Sequence, residues 1–174
     1  FWIAHDGIKE RLNPNVRIHA SAIEASFWRQ PDFSQTAMPA PVPPVLRSTA
    51  TAFLDRYGDK LKVFSGDRFE IAPGVVARLT GGHTPGHCVV ELSSRGERLM
   101  FVGDAVFQVA FDHPHWHNGF EHEPMEATRV RIDLFRELAN NGALMVGTHL
   151  PFPSVGRVAI DGEIFRWVPA VWDY

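Results

Sequence analysis

The sequence predicts a mixed α/β fold. Three observations predict it: a succession of short apolar runs between residues 61 and 102, a stretch from Pro124 to Leu138 with helical spacing, and the apolar run Leu144-Met145-Val146 directly after it. Strands followed by a helix and a further strand are the pattern that lays a helix against a sheet. The length of 174 residues suits one domain, and 45% hydrophobic residues with 13 Phe and 5 Trp can fill a sizeable core, which excludes a disordered or collagen-like chain.

The elements follow in order. Val16-Arg17-Ile18-His19-Ala20 alternates like a short strand, and Ser21-Ala22-Ile23-Glu24 has the form of a capping box for a helix to about Trp28. From Gln30 to Pro44, five prolines deny backbone donors and predict a loop. Leu46, Ala50, Phe53, Leu54 and Tyr57 recur at helical spacing, with Gly58 as the stop. Leu61–Phe64, Phe69–Ile71, Val75–Leu79, Cys88–Leu92 and Leu99–Val102 read as strands, the last two joined by a hairpin turn at 93–97. Pro124 suits the first turn of a helix that buries Ala127, Val130, Leu134 and Leu138 and turns Arg129, Asp133, Arg136 and Glu137 mostly outward. Leu144–Val146 is a buried strand, and Arg157–Ile160 with Ile164–Trp167 forms a hairpin about Asp161-Gly162.

Charge narrows the partners. Lys+Arg 17 against Asp+Glu 20 leaves a formal charge of -3 without basic clusters, so the expectation is a small-molecule partner, with no nucleic acid and no anionic lipid surface. No run of about 18 apolar residues predicts a membrane span. The single Cys88 excludes an internal disulfide and a zinc site built of several thiolates.

The chemistry gathers at three strand ends: Gly82-His83-Thr84-Pro85-Gly86-His87, Phe101-Val102-Gly103-Asp104 and Val146-Gly147-Thr148-His149. A rigid strand abutting a small-residue turn is where reactive groups are held and a ligand is approached closely. Two imidazoles and a carboxylate suit zinc, or iron or manganese. A carboxylate can bridge two metals, and water held there loses its proton near neutral pH, which predicts hydrolysis. Each residue alone has a plainer reading: Gly-Asp after a strand is a common turn, and a lone histidine is more often structural. No Gly-x-Ser-x-Gly elbow or phosphate-cradling Gly-rich loop is present.

The order and spacing of these three motifs, with a strand hairpin between the first two, resemble the second half of the metallo-β-lactamase superfamily. The surroundings of His149, Thr148-His149-Leu150-Pro151-Phe152-Pro153-Ser154, are similar to the branch containing methyl parathion hydrolase and related lactonases and esterases, as are Asn13-Pro14-Asn15-Val16 and Ala25-Ser26-Phe27-Trp28. The resemblance implies an αββα sandwich. It implies zinc, two ions per complete site, with His87 and His149 each holding one metal and Asp104 bridging them as the catalytic carboxylate. The activity implied is hydrolysis of an ester, lactone or phosphotriester by a metal-bridged hydroxide, with Phe107, Phe111, Trp116 and Phe152 as apolar substrate-binding walls.

The sequence departs from that family in one respect. The signature His-x-His-x-Asp-His is absent, and Phe1-Trp2-Ile3-Ala4-His5-Asp6-Gly7 resembles the stretch that follows it, so an N-terminally incomplete sandwich is expected. Alone, this chain should bind metal weakly or not at all. Asp112-His113-Pro114-His115-Trp116-His117, with His122 beyond, could converge three alternate histidines on a metal if extended. The plainer expectation is a loop at the pocket entrance, with His5 and His19 ordinary. Cys88, next to His87 on a strand, should face the opposite way and be no nucleophile. The rival function is a metal-free, inactive domain used for binding or assembly, whose exposed sheet edge favours a homo-oligomer.

Overall fold

The structure is a computed structural model, and it describes residues 16–170. In chain order the elements are β1 (Ile18–Ser21), α1 (Ala22–Phe27), α2 (Val42–Tyr57), β2 (Leu61–Phe64), β3 (Arg68–Ala72), β4 (Val75–Leu79), β5 (Cys88–Ser94), β6 (Glu97–Phe101), α3 (Pro124–Asn141), β7 (Leu144–Val146), β8 (Val155–Asp161) and β9 (Ile164–Pro169). β3 to β9 form one seven-stranded sheet in sequence order, while β1 and β2 form a separate parallel pair. Neighbours in the large sheet run antiparallel except β6 and β7, which are parallel. A parallel step needs a crossover, and α3 supplies it.

The hairpin between β5 and β6 turns on Arg95 and Gly96, both at positive φ (51° and 85°), the backbone that matches strand twist in a two-residue turn. α3 starts on Pro124 and ends at Gly142, which is left-handed and donates its N–H to Leu138 O. Its expected stripe of Ala127, Val130, Leu134 and Leu138 is buried, joined by Phe135 and by Arg131. Val130, Leu134, Phe135 and Leu138 share one core with Val89, Met100, Met145, Val158 and Phe165 of the sheet. The opposite sheet face carries Val90, Leu92, Leu99 and Phe101 as cross-strand partners. It is half-exposed, with Leu92 38% and Phe101 37% exposed. In an αββα sandwich a face of this composition packs against the second sheet.

Two expectations need correction. The loop from Gln30 ends before Pro43 and Pro44, which occupy the first turn of α2; a helix's first residues have no intrahelical acceptor for their N–H, so prolines cost nothing there. The capping box at Ser21 is half formed. Ser21 Oγ accepts from Glu24 N at 3.1 Å, but the Glu24 carboxylate turns away to another partner described below. The stretch Phe1–Gly7 and His5 lie outside the described residues. Among the described residues no helix is long and apolar enough to cross a membrane.

Candidate active site

The three motifs meet at one end of the sheet. The loop from Thr80 to His87 is closed at its base by Thr80 N and Gly81 N, which both donate to His87 O at 2.8 and 3.1 Å. Gly103, after β6, lies against the His87 ring at φ 53°; a Cβ there would stand 2.9 Å from His87 Nε2, so only glycine lets this ring approach. Phe107 and His149 form an isolated parallel bridge, which brings the loop after Asp104 alongside the end of β7. Thr148 Oγ1 lies 2.6 Å from Gly103 O and 3.1 Å from Asp104 Oδ1, completing the junction.

Asp104 is the hub. His149 Nε2 is 2.9 Å from its Oδ1 and His83 Nε2 is 3.5 Å from its Oδ2, while its backbone N–H donates to His87 Nε2 at 3.3 Å. An imidazole nitrogen that accepts carries no proton, so the His87 proton is on Nδ1, 2.7 Å from Thr80 Oγ1. Thr80 Oγ1 can receive it because its own proton goes to His87 O at 3.0 Å. Burial, with the neighbouring His83 adding to it, pushes His87 down to about 4, so it is neutral at neutral pH. Burial also lowers His83, against the pull of Asp104, and His83 Nδ1 is buried without a hydrogen-bond partner. Burial alone would raise Asp104, but His83, His149 and the Thr148 hydroxyl hold its carboxyl below the usual range.

Two clamps fix these loops. From α1, the Glu24 carboxylate accepts from Trp28 Nε1 at 2.7 Å, Thr84 Oγ1 at 2.8 Å and Gly86 N at 3.0 Å, and Ser21 Oγ donates to Gly86 O at 2.9 Å. A Cβ on Gly86 would meet Glu24 N at 2.1 Å, so glycine is what admits α1 so close to the turn. From α3, Arg131 is fully buried and its acceptors all lie between 105 and 121: Ala105 O at 3.3 Å, Pro114 O at 3.0 Å, Trp116 O at 2.9 Å and the Glu121 carboxylate. Its guanidinium also sits 4.4 Å from the Phe107 ring centroid. The segment following Asp104 is thereby anchored near both ends.

The fold has counterparts in known proteins. Residues 4–149 match the metallo-beta-lactamase superfamily. The chain belongs to this superfamily. Among solved structures of similar fold is AidC, a dizinc quorum-quenching lactonase in complex with a product, at 28% identity and a TM-score of 0.80, covering 92% of this chain and 57% of that one. AbOPH, a hydrolase in the beta lactamase superfamily, is 32% identical with a TM-score of 0.75, again covering 92% of this chain and 57% of the other. A probable metal-dependent hydrolase from Staphylococcus aureus shares the fold at 20% identity and a TM-score of 0.65, covering 90% and 52%. The chain therefore spans little more than half the length of these structures. No curated protein matches it.

Within this superfamily member, the cleft where the three motifs meet measures about 410 Å³ and brings His83, His87, Asp104 and His149 together. Its apolar wall is Trp28, Met38, Leu46 and Phe120. The four aromatics expected as walls are elsewhere. Phe111 is 4% exposed, in the core with Phe135 and Trp167; Phe107 lies under Arg131; Trp116 is exposed and stacks on His113 at 3.9 Å; and Phe152 is 94% exposed. His113, His115 and His117 are all exposed and do not line the cleft, whereas His122 does. The Cys88 thiol is half-buried beside Gly86 O, and burial pushes it up to about 11, too high for a thiolate nucleophile.

Sequence reasoning had no means of finding Glu24, Thr80 and Arg131 as holders of the site. Only the capping-box pattern hinted at Glu24, and it pointed to a different partner. As a zinc site, the donor set fits in kind: His87 presents an unprotonated Nε2 with its Nδ1–H taken by Thr80, the arrangement that suits a metal-bound imidazole. It falls short in number. Among the described residues no group of three or more such side chains is arranged to hold a metal ion, and zinc takes about four ligands.

Proposed function

We propose that this chain carries part of the site of a metal-dependent hydrolase acting on an ester, lactone or phosphotriester. The observation that carries this reading is the convergence of three strand-end residues in one cleft, where Asp104 meets His149 through its carboxylate and His87 through its backbone N–H. His87 and His149 would each hold one metal and Asp104 would bridge them; bound divalent cations would polarise the substrate's oxygen and lower the pKa of water. The chain's own residues do the rest. Thr80 keeps the His87 proton on Nδ1, Thr148 orients the Asp104 carboxylate, and the wall of Trp28, Met38, Leu46 and Phe120 excludes water and accepts an apolar substrate group. The likeness to a dizinc lactonase and to a beta lactamase superfamily hydrolase supports the reaction class.

A second reading, a binding or assembly module, is favoured by the half-exposed sheet face. One assay separates the two. The chain is incubated with zinc and offered aryl esters, lactones and phosphotriesters. Hydrolysis that EDTA abolishes and Asp104→Ala removes supports the hydrolase; no turnover of any class, with or without zinc, supports the module.

A further inference from the structure

We infer that His122 is a substrate-contacting residue of this cleft, where its Nε2 accepts a hydrogen bond from an N–H or O–H group of the ligand. The ring is held on every other side. Nδ1 lies 3.1 Å from Asp32 O, and a carbonyl oxygen only accepts, so the proton is on Nδ1 and Nε2 is left with its lone pair. The ring meets Phe27 edge-on at 4.8 Å and Phe33 at 5.5 Å, and the His122 backbone N donates to His83 O at 3.0 Å. The preceding residue, Glu121, is gripped by Arg131, and the following one, Glu123, donates its backbone N–H to Gly82 O at 3.0 Å, so the chain on either side is fixed. Burial lowers its pKa, which keeps the imidazole neutral and Nε2 an acceptor at neutral pH. His122 is 6% exposed and lines the cleft with Trp28, Met38, Leu46 and Phe120.

A fixed acceptor in an apolar wall discriminates between ligands. A ligand with a donor at that point gives Nε2 a hydrogen bond, whereas one without a donor takes the nitrogen out of solvent and leaves it unpaired. The inference rests on the cleft being the substrate site, but not on a metal or on turnover.

The test is therefore made on the full chain in EDTA. Binding of a medium-chain N-alkyl amide is compared with that of the ketone in which CH₂ replaces the N–H, read by quenching of tryptophan fluorescence, Trp28 being in the cleft wall. The wild type should bind the amide roughly threefold to tenfold more tightly, the ratio one neutral hydrogen bond gives. His122→Asn places its amide nitrogen where Nδ1 was, keeps the bond to Asp32 O and removes the acceptor, so the ratio should fall to about one. His122→Gln carries its amide oxygen towards the Nε2 position and should restore most of the preference. Equal binding of both ligands by the wild type, a preference that survives His122→Asn, or binding of neither ligand overturns the inference. Loss of hydrolysis with zinc while the preference persists would instead count against the hydrolase reading alone.

Discussion

Arg131→Met is the substitution whose cost the structure fixes most firmly. The arginine is fully buried, Glu121 is 1% exposed, and the guanidinium donates to three backbone carbonyls besides that carboxylate. Burial pushes Glu121 up and Arg131 down, against the attraction each has for the other's charge. Methionine fills much of the volume but leaves the carboxylate with a single donor, Asn118 N at 2.9 Å, and strips the three carbonyls of this donor. Removing one partner of a buried pair costs about 3–5 kcal/mol, a large part of a typical total of about 5–15. For a chain of this size that lowers Tm by roughly 8–16 °C. The assay is urea and thermal unfolding followed by circular dichroism, with Arg131→Met/Glu121→Leu alongside. Because the orphaned charge is the main penalty, the double variant should recover more than half of the loss. A single variant within about 1 kcal/mol of the wild type, or a double variant less stable than the single, would refute the claim that this pair anchors the 105–121 segment.

Three further outcomes follow from the same geometry. Glu24→Gln should destabilise by about 1–3 kcal/mol in urea unfolding, since Trp28 Nε1 and Gly86 N can only donate and one of them would face an amide N–H₂. Gly86→Ala forces a Cβ to 2.1 Å from Glu24 N and should cost about 1–3 kcal/mol, with hydrogen exchange accelerating first in the 82–87 turn. In metal-free protein, His87 is held at about 4 against an ordinary 6.5, so the unfolded chain binds the extra proton between those values. Unfolding free energy should thus fall by up to about 3 kcal/mol as pH drops through that window, and His87→Phe should lack this slope.

How much of this was legible in the sequence depends on whether the cause is local. Strand alternation, the Arg95-Gly96 turn and the α3 stripe depend on neighbours within a few residues, and the observed elements follow them closely. The three strand-end motifs are also local, each a strand end and its turn, and their meeting at Asp104 follows from three strands ending together. What pattern could not carry is non-local. Arg131 reads as one more polar residue of a surface helix until the 105–121 carbonyls close round it. Hydropathy does not separate a pocket wall from a core, so Phe111 was expected in the cleft and lies in the core, while Met38 and Leu46 were brought to the cleft from the proline-rich loop and α2. His122 sits among several histidines in sequence and is singled out only by its bond to Asp32, ninety residues away.

The proposed function assigns metal to His87, Asp104 and His149 together. Zinc binding to the full chain, measured by competition with a chromophoric chelator, tests it most directly beside His87→Ala, Asp104→Ala and His149→Ala. The account predicts weak binding by the wild type and at least a tenfold loss in each variant, the scale expected when a metal site loses a group that holds it. Zinc binding that all three substitutions leave unchanged would contradict it.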